Sequence, residues 1–134
     1  MPAKVFIDTN LVIYSLGKNS DKVELLAPLF THRPTISTQV LSETANVARK
    51  KLGMPLVEIG KLLTMLEATC AVALVSPATT QRAIYIAGRY EFSWFDSLIV
   101  ASALEVDCDT LYTEDLQHGQ VIEDRLTVIN PFSI

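Results

Sequence analysis

The sequence is poor in histidine and cysteine. It has only His32, His118, Cys70 and Cys108, and their spacings match no motif typical of zinc ligands. The sequence therefore argues against a zinc site built on these side chains. In a reducing compartment the two cysteines are expected to be buried as small apolar residues.

Long apolar segments are also missing. No run approaches the roughly 20 residues that cross a bilayer, and the first residues lack the pattern of a signal peptide. We therefore expect cytoplasmic residence and no membrane partner. The length of 134 residues and the hydrophobic content of 49% predict one domain, residues 1–134, with a substantial core.

Positive charge is scarce as well. There are 11 lysines and arginines against 15 aspartates and glutamates, which gives a net charge of −4. This balance argues against a protein that binds nucleic acid by neutralising many phosphates, but an enzyme could still reach phosphate through a bound cation. Six basic residues could form a rim for RNA, although a solvated helix surface is the favoured interpretation for each of them: Arg49, Lys50, Lys51, Lys61, Arg82 and Arg89.

Short apolar runs alternate with helical patterns along the chain. Strands are predicted near residues 4–8, 35–37, 71–75, 110–112 and 126–129, with helices between them, and Asn10 is the predicted N-cap of the first helix. This alternation predicts an α/β fold with a mainly parallel sheet that is covered on both faces. In such sheets ligands bind beyond the carboxyl ends of the strands.

Four acids do not fit their apolar surroundings. Asp8 and Asp115 follow predicted strands, whereas Glu43 and Asp96 lie in helices among apolar neighbours. Carboxylates ~4 Å apart repel by about 4 kcal/mol per pair at an effective dielectric near 20, so a cluster of them would require a cation. All-oxygen ligation selects Mg²⁺ or Mn²⁺, and such ions can promote phosphodiester hydrolysis. The strand-end rule places only Asp8 and Asp115 at a common edge.

Each acid also has a purely structural interpretation. Asp8 could simply cap the next helix, Glu43 could extend from the edge of an apolar stripe, and Asp115 could be an ordinary turn residue. The segment Ser93-Trp94-Phe95-Asp96 matches a capping box, which makes a structural role the favoured one for Asp96 by itself.

Together these residues resemble a known family. The order of Val5-Phe6-Ile7-Asp8-Thr9-Asn10, Ser42-Glu43, the segment 94–103, Leu111-Tyr112-Thr113-Glu114-Asp115 and the closing segment 128–132 is similar to that in PIN-domain ribonucleases. Among them the likeness is greatest to the VapC-type toxins of prokaryotic toxin–antitoxin pairs. The resemblance covers essentially the whole chain.

The resemblance implies a three-layer α/β/α PIN-like fold and endonucleolytic cleavage of RNA with Mg²⁺ or Mn²⁺. It also implies a homodimer built on helices away from the metal, and an antitoxin protein whose C-terminal segment lies across the acidic pocket. Asp8, Glu43, Asp96 and Asp115 would be the catalytic and metal-binding acids. Thr9, Asn10 and Thr113 would support metal or water through hydrogen bonds.

The chain departs from the family at one position. Many relatives have another acid where this chain has His118. The number of metal ions therefore stays open. His118 is either a substrate contact or, in the favoured interpretation, a histidine of a surface loop.

Three other functions would require part of the same residue pattern. A non-catalytic PIN-like module would be expected to have lost one or more of the acids, whereas all four are present. A housekeeping RNA-processing nuclease would have the same residues. A phosphotransferase of the haloacid-dehalogenase type also has an Asp after its first strand, but it needs a second Asp where this chain has Asn10.

Overall fold

Short strands alternate with helices throughout the chain. The computed structural model describes residues 3–133. Its strands are β1 (Val5–Ile7), β2 (Thr35–Ser37), β3 (Ala71–Ala73), β4 (Thr110–Tyr112), β5 (Val121–Ile122) and β6 (Leu126–Ile129). Its α-helices are α1 (Thr9–Ser15), α2 (Ser20–Leu26), α3 (Thr38–Lys50), α4 (Leu56–Thr69), α5 (Pro77–Tyr90) and α6 (Trp94–Glu105). Two 3-10 turns, Ala27–Phe30 and Pro131–Ser133, complete the structure.

The strands form one sheet in the order β3-β2-β1-β4-β6-β5. All neighbouring pairs are parallel except β5 and β6. Helices cover both faces, which confirms the predicted three-layer α/β/α fold with a mainly parallel sheet.

The topology places a crevice beside β1. The chain runs from β1 through β2 to β3 in one direction and then returns to the other side of β1 with β4. Ile7 of β1 is in register with Tyr112 of β4, and the Asp8 N–H donates to the Tyr112 carbonyl at 3.0 Å. The residues after β1 and β4 therefore leave the sheet side by side, where parallel sheets bind ligands.

The core lies between this sheet and the helices. Helix α6 is buried at every position from Ser97 to Leu104, which explains why its sequence is apolar all round. Phe6, Ile36 and Leu111 of the central strands pack in the same cluster, and each such side chain contributes about 1.5–3 kcal/mol when fully buried. Cys70 and Cys108 belong to it too, which confirms that they are buried apolar residues.

One local prediction was wrong, and one strand was missed. Asp8, not Asn10, is the N-cap of α1, because the Asp8 side chain accepts the Thr9 N–H. Strand β5 was not predicted, because two residues carry too little alternation to indicate a strand. Within residues 3–133, no helix is long and apolar enough to span a membrane.

Candidate metal centre

A cavity of about 190 Å³ opens at the carboxyl ends of β1 and β4. Its walls contain all four of the acids that the sequence singled out, Asp8, Glu43, Asp96 and Asp115. The remaining lining residues are Thr9, Asn10, Gln39, Val47, Phe95 and Ile99. Elements far apart in the sequence therefore converge on one site.

Three of the acids approach one another closely. One carboxylate oxygen each from Asp8, Asp96 and Asp115 lies within 4.8 Å of the other two. Glu43 lines the same cavity but is outside this set of mutually close oxygens. The structure thus places Asp96, which the strand-end rule could not locate, beside Asp8 and Asp115.

The Asp8 carboxylate is held on both oxygens. Oδ1 accepts the Thr9 N–H at 2.7 Å, and Oδ2 accepts the Thr113 hydroxyl at 2.8 Å. The same hydroxyl oxygen accepts the Asp115 N–H at 3.1 Å. Thr113 therefore ties the loop after β4 to the end of β1 and fixes the relative positions of two of the acids.

Helix α6 places Asp96 through a half-formed cap. The Ser93 hydroxyl accepts the Asp96 N–H at 3.2 Å. Within the described residues, the Asp96 carboxylate accepts no hydrogen bond in return from the Ser93 N–H. The capping box is thus incomplete, and the Asp96 carboxylate faces the cavity instead.

Glu43 is oriented by a second threonine. Its Oε1 accepts the Thr9 hydroxyl at 2.7 Å and the Gln39 amide N–H at 3.5 Å, and the same amide donates to the Phe95 carbonyl at 3.2 Å. Thr9 therefore contacts two acids, one through its N–H and one through its hydroxyl.

Sequence reasoning missed Gln39 and Phe95. The signal for Gln39 was its place four residues before Glu43 on the same face of α3. The signal for Phe95 was its place next to Asp96 in a helix whose following residues are buried.

Two other groups of candidates lie outside the cavity lining. The Nδ1 atom of His118 accepts the Asn130 N–H at 3.0 Å, which ties its loop to the end of β6. None of the six basic residues lines the cavity. Lys61 pairs with Glu58, and Arg89 pairs with Glu123.

Burial and repulsion by neighbouring carboxylates make Asp8 and Asp115 harder to ionise. Burial raises the pKa of Asp8 from 3.8 to about 6, the Thr113 and Thr9 hydrogen bonds oppose this rise, and Asp115 and Asp96 add to it. Burial also raises the pKa of Asp115, together with the charges of Asp96, Glu114 and Glu43. The site accordingly favours a bound proton or a bound cation.

The donor set fits a hard divalent cation. In the part of the chain that the structure describes, no ion pair joins a lysine, arginine or histidine to the four acids. Two unit charges 4.8 Å apart repel by about 3.5 kcal/mol at an effective dielectric near 20. A cation bound by carboxylate oxygens would offset this repulsion, and such ligands suit Mg²⁺ or Mn²⁺.

Thr113→Val is expected to lower the metal-free stability by about 1–3 kcal/mol, because it leaves Asp8 Oδ2 and the Asp115 N–H without their buried partner. Thr113→Ser keeps the hydroxyl and serves as the matched control. Urea unfolding in EDTA at pH 7 measures both. Equal midpoints for the two variants would show that this hydroxyl has no structural importance.

Ser93→Ala is expected to lower stability by about 1 kcal/mol through loss of the α6 cap, whereas Asp96→Asn is expected not to, because its backbone N–H is retained. Thermal unfolding in EDTA distinguishes them. Early melting of Asp96→Asn would instead assign its carboxylate to the helix cap.

Known structures share this fold. The chain is similar to a toxin–antitoxin complex from Klebsiella pneumoniae, with a TM-score of 0.73, 19% identity and coverage of 96% of this chain and 98% of the other. It is also similar to the DNA-bound VapBC of Salmonella typhimurium, with a TM-score of 0.68, 18% identity and coverage of 95% and 98%. For the Mycobacterium tuberculosis toxin VapC20, described as cleaving the sarcin–ricin loop, the TM-score is 0.66, with 16% identity and coverage of 81% and 87%.

Comparison with the curated proteins gives no match. The structural similarities are at low sequence identity and show the fold. A family model is more direct, since the one described as PIN domain matches residues 5–123, most of the chain. The chain therefore belongs to the PIN domain family.

Proposed function

We propose that this protein is a divalent-metal-dependent endoribonuclease. The observation that carries the proposal is the convergence of Asp8, Asp96 and Asp115, with oxygens within 4.8 Å of one another and, among residues 3–133, no cationic side chain paired to them. Glu43 completes the acidic lining. Membership of the PIN domain family and the similarity to a toxin described as cleaving the sarcin–ricin loop support the same proposal.

The proposed ligands are Asp8, Glu43, Asp96 and Asp115, with Mg²⁺ or Mn²⁺ as the ion. A bound ion would supply positive charge to the phosphate and lower the pKa of a water molecule. The chain's own task is to hold the carboxylates in place, which Thr113 and Thr9 do through the hydrogen bonds to Asp8 and Glu43. Asn10, at the cavity wall, is proposed to orient water or phosphate.

The test is cleavage of a mixed pool of structured and single-stranded RNA. Wild type and Asp8→Asn are incubated with EDTA, Mg²⁺ or Mn²⁺ in turn, and the products are resolved on a denaturing gel. Metal-dependent cutting by wild type alone is the expected result. Cutting that persists in EDTA would refute the metal dependence.

If wild type cuts none of the RNA in the pool, a second measurement is needed. Thermal unfolding with and without Mg²⁺ then separates an enzyme of narrow specificity from a non-catalytic module. Stabilisation of wild type but not of Asp8→Asn favours the enzyme, and stabilisation of neither favours the module.

The proposed role is that of a toxin held inactive by an antitoxin protein. Apolar surface supports such a partner, because Leu16 is 41% exposed and borders two adjoining grooves on the helices. The two grooves are lined further by Ile13, Ala48, Leu52, Met54, Leu62, Val23, Phe30 and Met65. An apolar helix of the partner would cover them, and a basic side chain of the partner would suit the acidic cavity.

The toxin role and the housekeeping role differ in what the neighbouring gene encodes. A small protein encoded directly beside this one is expected to form a complex that suppresses RNA cleavage, and Leu16→Asp is expected to disrupt it. Full activity in the presence of that protein would favour a housekeeping nuclease.

A homodimer is proposed on a different surface. Leu74, Ile84 and Tyr85 are each more than half exposed, at 76%, 58% and 53%, and none lines the acidic cavity. Burial of these side chains between two copies would remove apolar area from water. Light scattering of the purified protein measures the mass, and a monomer at micromolar concentration would contradict the proposal.

A further inference from the structure

The acidic cavity is lined by apolar side chains as well as by acids. Val47 of α3 and Phe95 and Ile99 of α6 line it together with the acids. Ile99 is buried, whereas Phe95 remains 61% exposed at the cavity. The cavity therefore offers charged oxygens together with an apolar surface that includes the Phe95 side chain.

The backbone that presents this ring is anchored. The Phe95 carbonyl accepts the Gln39 amide N–H at 3.2 Å, and Gln39 also contacts Glu43 on its own helix. Phe95 directly precedes Asp96, so the ring and one of the acids are positioned by the same helical turn. In the part of the chain that the structure describes, the buried amide oxygen of Gln39 has no hydrogen-bond partner, and such an atom commonly binds water.

Few kinds of ligand would contact both an exposed phenyl ring and a cluster of carboxylates. An apolar ligand would leave the acids unused, and a simple phosphate would leave the ring in water. A nucleotide satisfies both, because its phosphate can share a cation with the acids while its base presents a flat face for stacking. A base within a duplex is already stacked on its neighbours, so the base that stacks here must be unpaired.

We propose that Phe95 binds substrate by stacking on an unpaired nucleobase next to the phosphate that faces the carboxylates. This inference rests on the proposed nuclease function and adds a binding residue and a substrate requirement to it. Phe95 is not a metal ligand, so its loss is expected to weaken substrate binding more than the turnover of bound substrate.

The test combines protein variants with modified RNA. Once the cleavage position in a single-stranded RNA is mapped, the bases on either side of it are replaced in turn by abasic sugars. Wild type, Phe95→Ala, Phe95→Trp and Leu56→Ala are compared on the intact and the abasic RNAs. Leu56 is the matched control, because it is 62% exposed and lies outside the cavity lining.

Phe95→Ala is expected to lower kcat/KM on intact RNA by roughly tenfold or more, mainly through KM. Phe95→Trp should retain activity, and Leu56→Ala should match wild type. One abasic substitution should lower kcat/KM of wild type by a similar factor. The same substitution should change kcat/KM of Phe95→Ala little, because the ring and the base contribute to a single interaction. Pairing the cleavage site in a duplex should abolish the difference between wild type and Phe95→Ala.

Two results would overturn the stacking role while leaving the nuclease intact. The first is a Phe95→Ala enzyme that cuts as well as wild type. The second is independence of the two changes, in which the loss of kcat/KM for Phe95→Ala on abasic RNA equals the product of the two separate losses. If wild type cuts no RNA, cleavage does not report on Phe95, and RNA binding is measured instead. Fluorescence anisotropy with labelled single-stranded RNA in Mg²⁺ then decides the stacking role, and equal Kd values for wild type and Phe95→Ala would exclude it.

Discussion

Asp8→Asn, Glu43→Gln and Asp96→Asn are each expected to lower the rate of RNA cleavage by roughly 10³-fold or more, which corresponds to about 4 kcal/mol of transition-state stabilisation. The reason is the position of these side chains on the walls of one cavity, where removal of one charge weakens cation binding and alters its geometry. Cleavage under single-turnover conditions at saturating Mg²⁺ measures the loss. Circular dichroism and unfolding curves show whether each variant keeps its fold.

Asp115→Asn is expected to be milder, with a loss of roughly tenfold. Asp115 is exposed and follows β4 in a loop, whereas Asp8 is 6% exposed and fixed by two hydrogen bonds. A loop side chain can shift to restore a contact more readily than a fixed one. A loss as large as that of Asp8→Asn would show that Asp115 is held as firmly as Asp8 and is equally required.

The positions of two acids follow from topology that the sequence reveals. The alternation of short apolar runs with helices predicts parallel strands, and parallel strands end at a common edge. Asp8 and Asp115 each follow such a strand, so their proximity could be predicted. The structure adds the reason that they are neighbours, because β4 lies directly beside β1 in the sheet.

The position of Asp96 could not be predicted in the same way. The segment Ser93–Asp96 satisfies a capping pattern. This pattern does not determine whether the Asp96 carboxylate turns back to the end of the helix or away from it. The outcome depends on where α6 packs, which is a long-range property. The contact between Gln39 and Phe95 could not be predicted for the same reason, because it joins residues 56 positions apart.

The metal-free protein is expected to lose stability as the pH rises through the range from about 4 to 6. Burial raises the pKa of Asp8 from 3.8 to about 6, so in this range the folded state binds a proton that the unfolded state has released. The contribution is fully present below pH 3.8 and is lost once the pH exceeds about 6. A shift of this size amounts to roughly 3 kcal/mol. Asp115, whose pKa is also raised, acts in the same direction.

The difference between wild type and Asp8→Asn isolates this effect. Groups remote from Asp8 titrate alike in both proteins, and any cost of fitting an amide beside Thr113 is independent of pH. The slope of the difference therefore reports Asp8 and its coupling to the neighbouring carboxylates. In EDTA, the stability of Asp8→Asn relative to wild type should rise by roughly 2–3 kcal/mol between pH 4 and pH 7, as measured by urea unfolding. A flat difference would show that Asp8 titrates normally.

Addition of Mg²⁺ at pH 7 should shift the comparison in favour of wild type. The ion replaces the proton as the positive charge among Asp8, Asp96 and Asp115, so wild type should gain stability and Asp8→Asn should gain much less. At pH 4 the proton competes with the ion, and the gain for wild type should shrink. Equal gains for both proteins at pH 7 would mean that the ion binds elsewhere. The same carboxylates thus explain both the lower stability of the metal-free protein and its affinity for a cation, because each results from negative charges held close together.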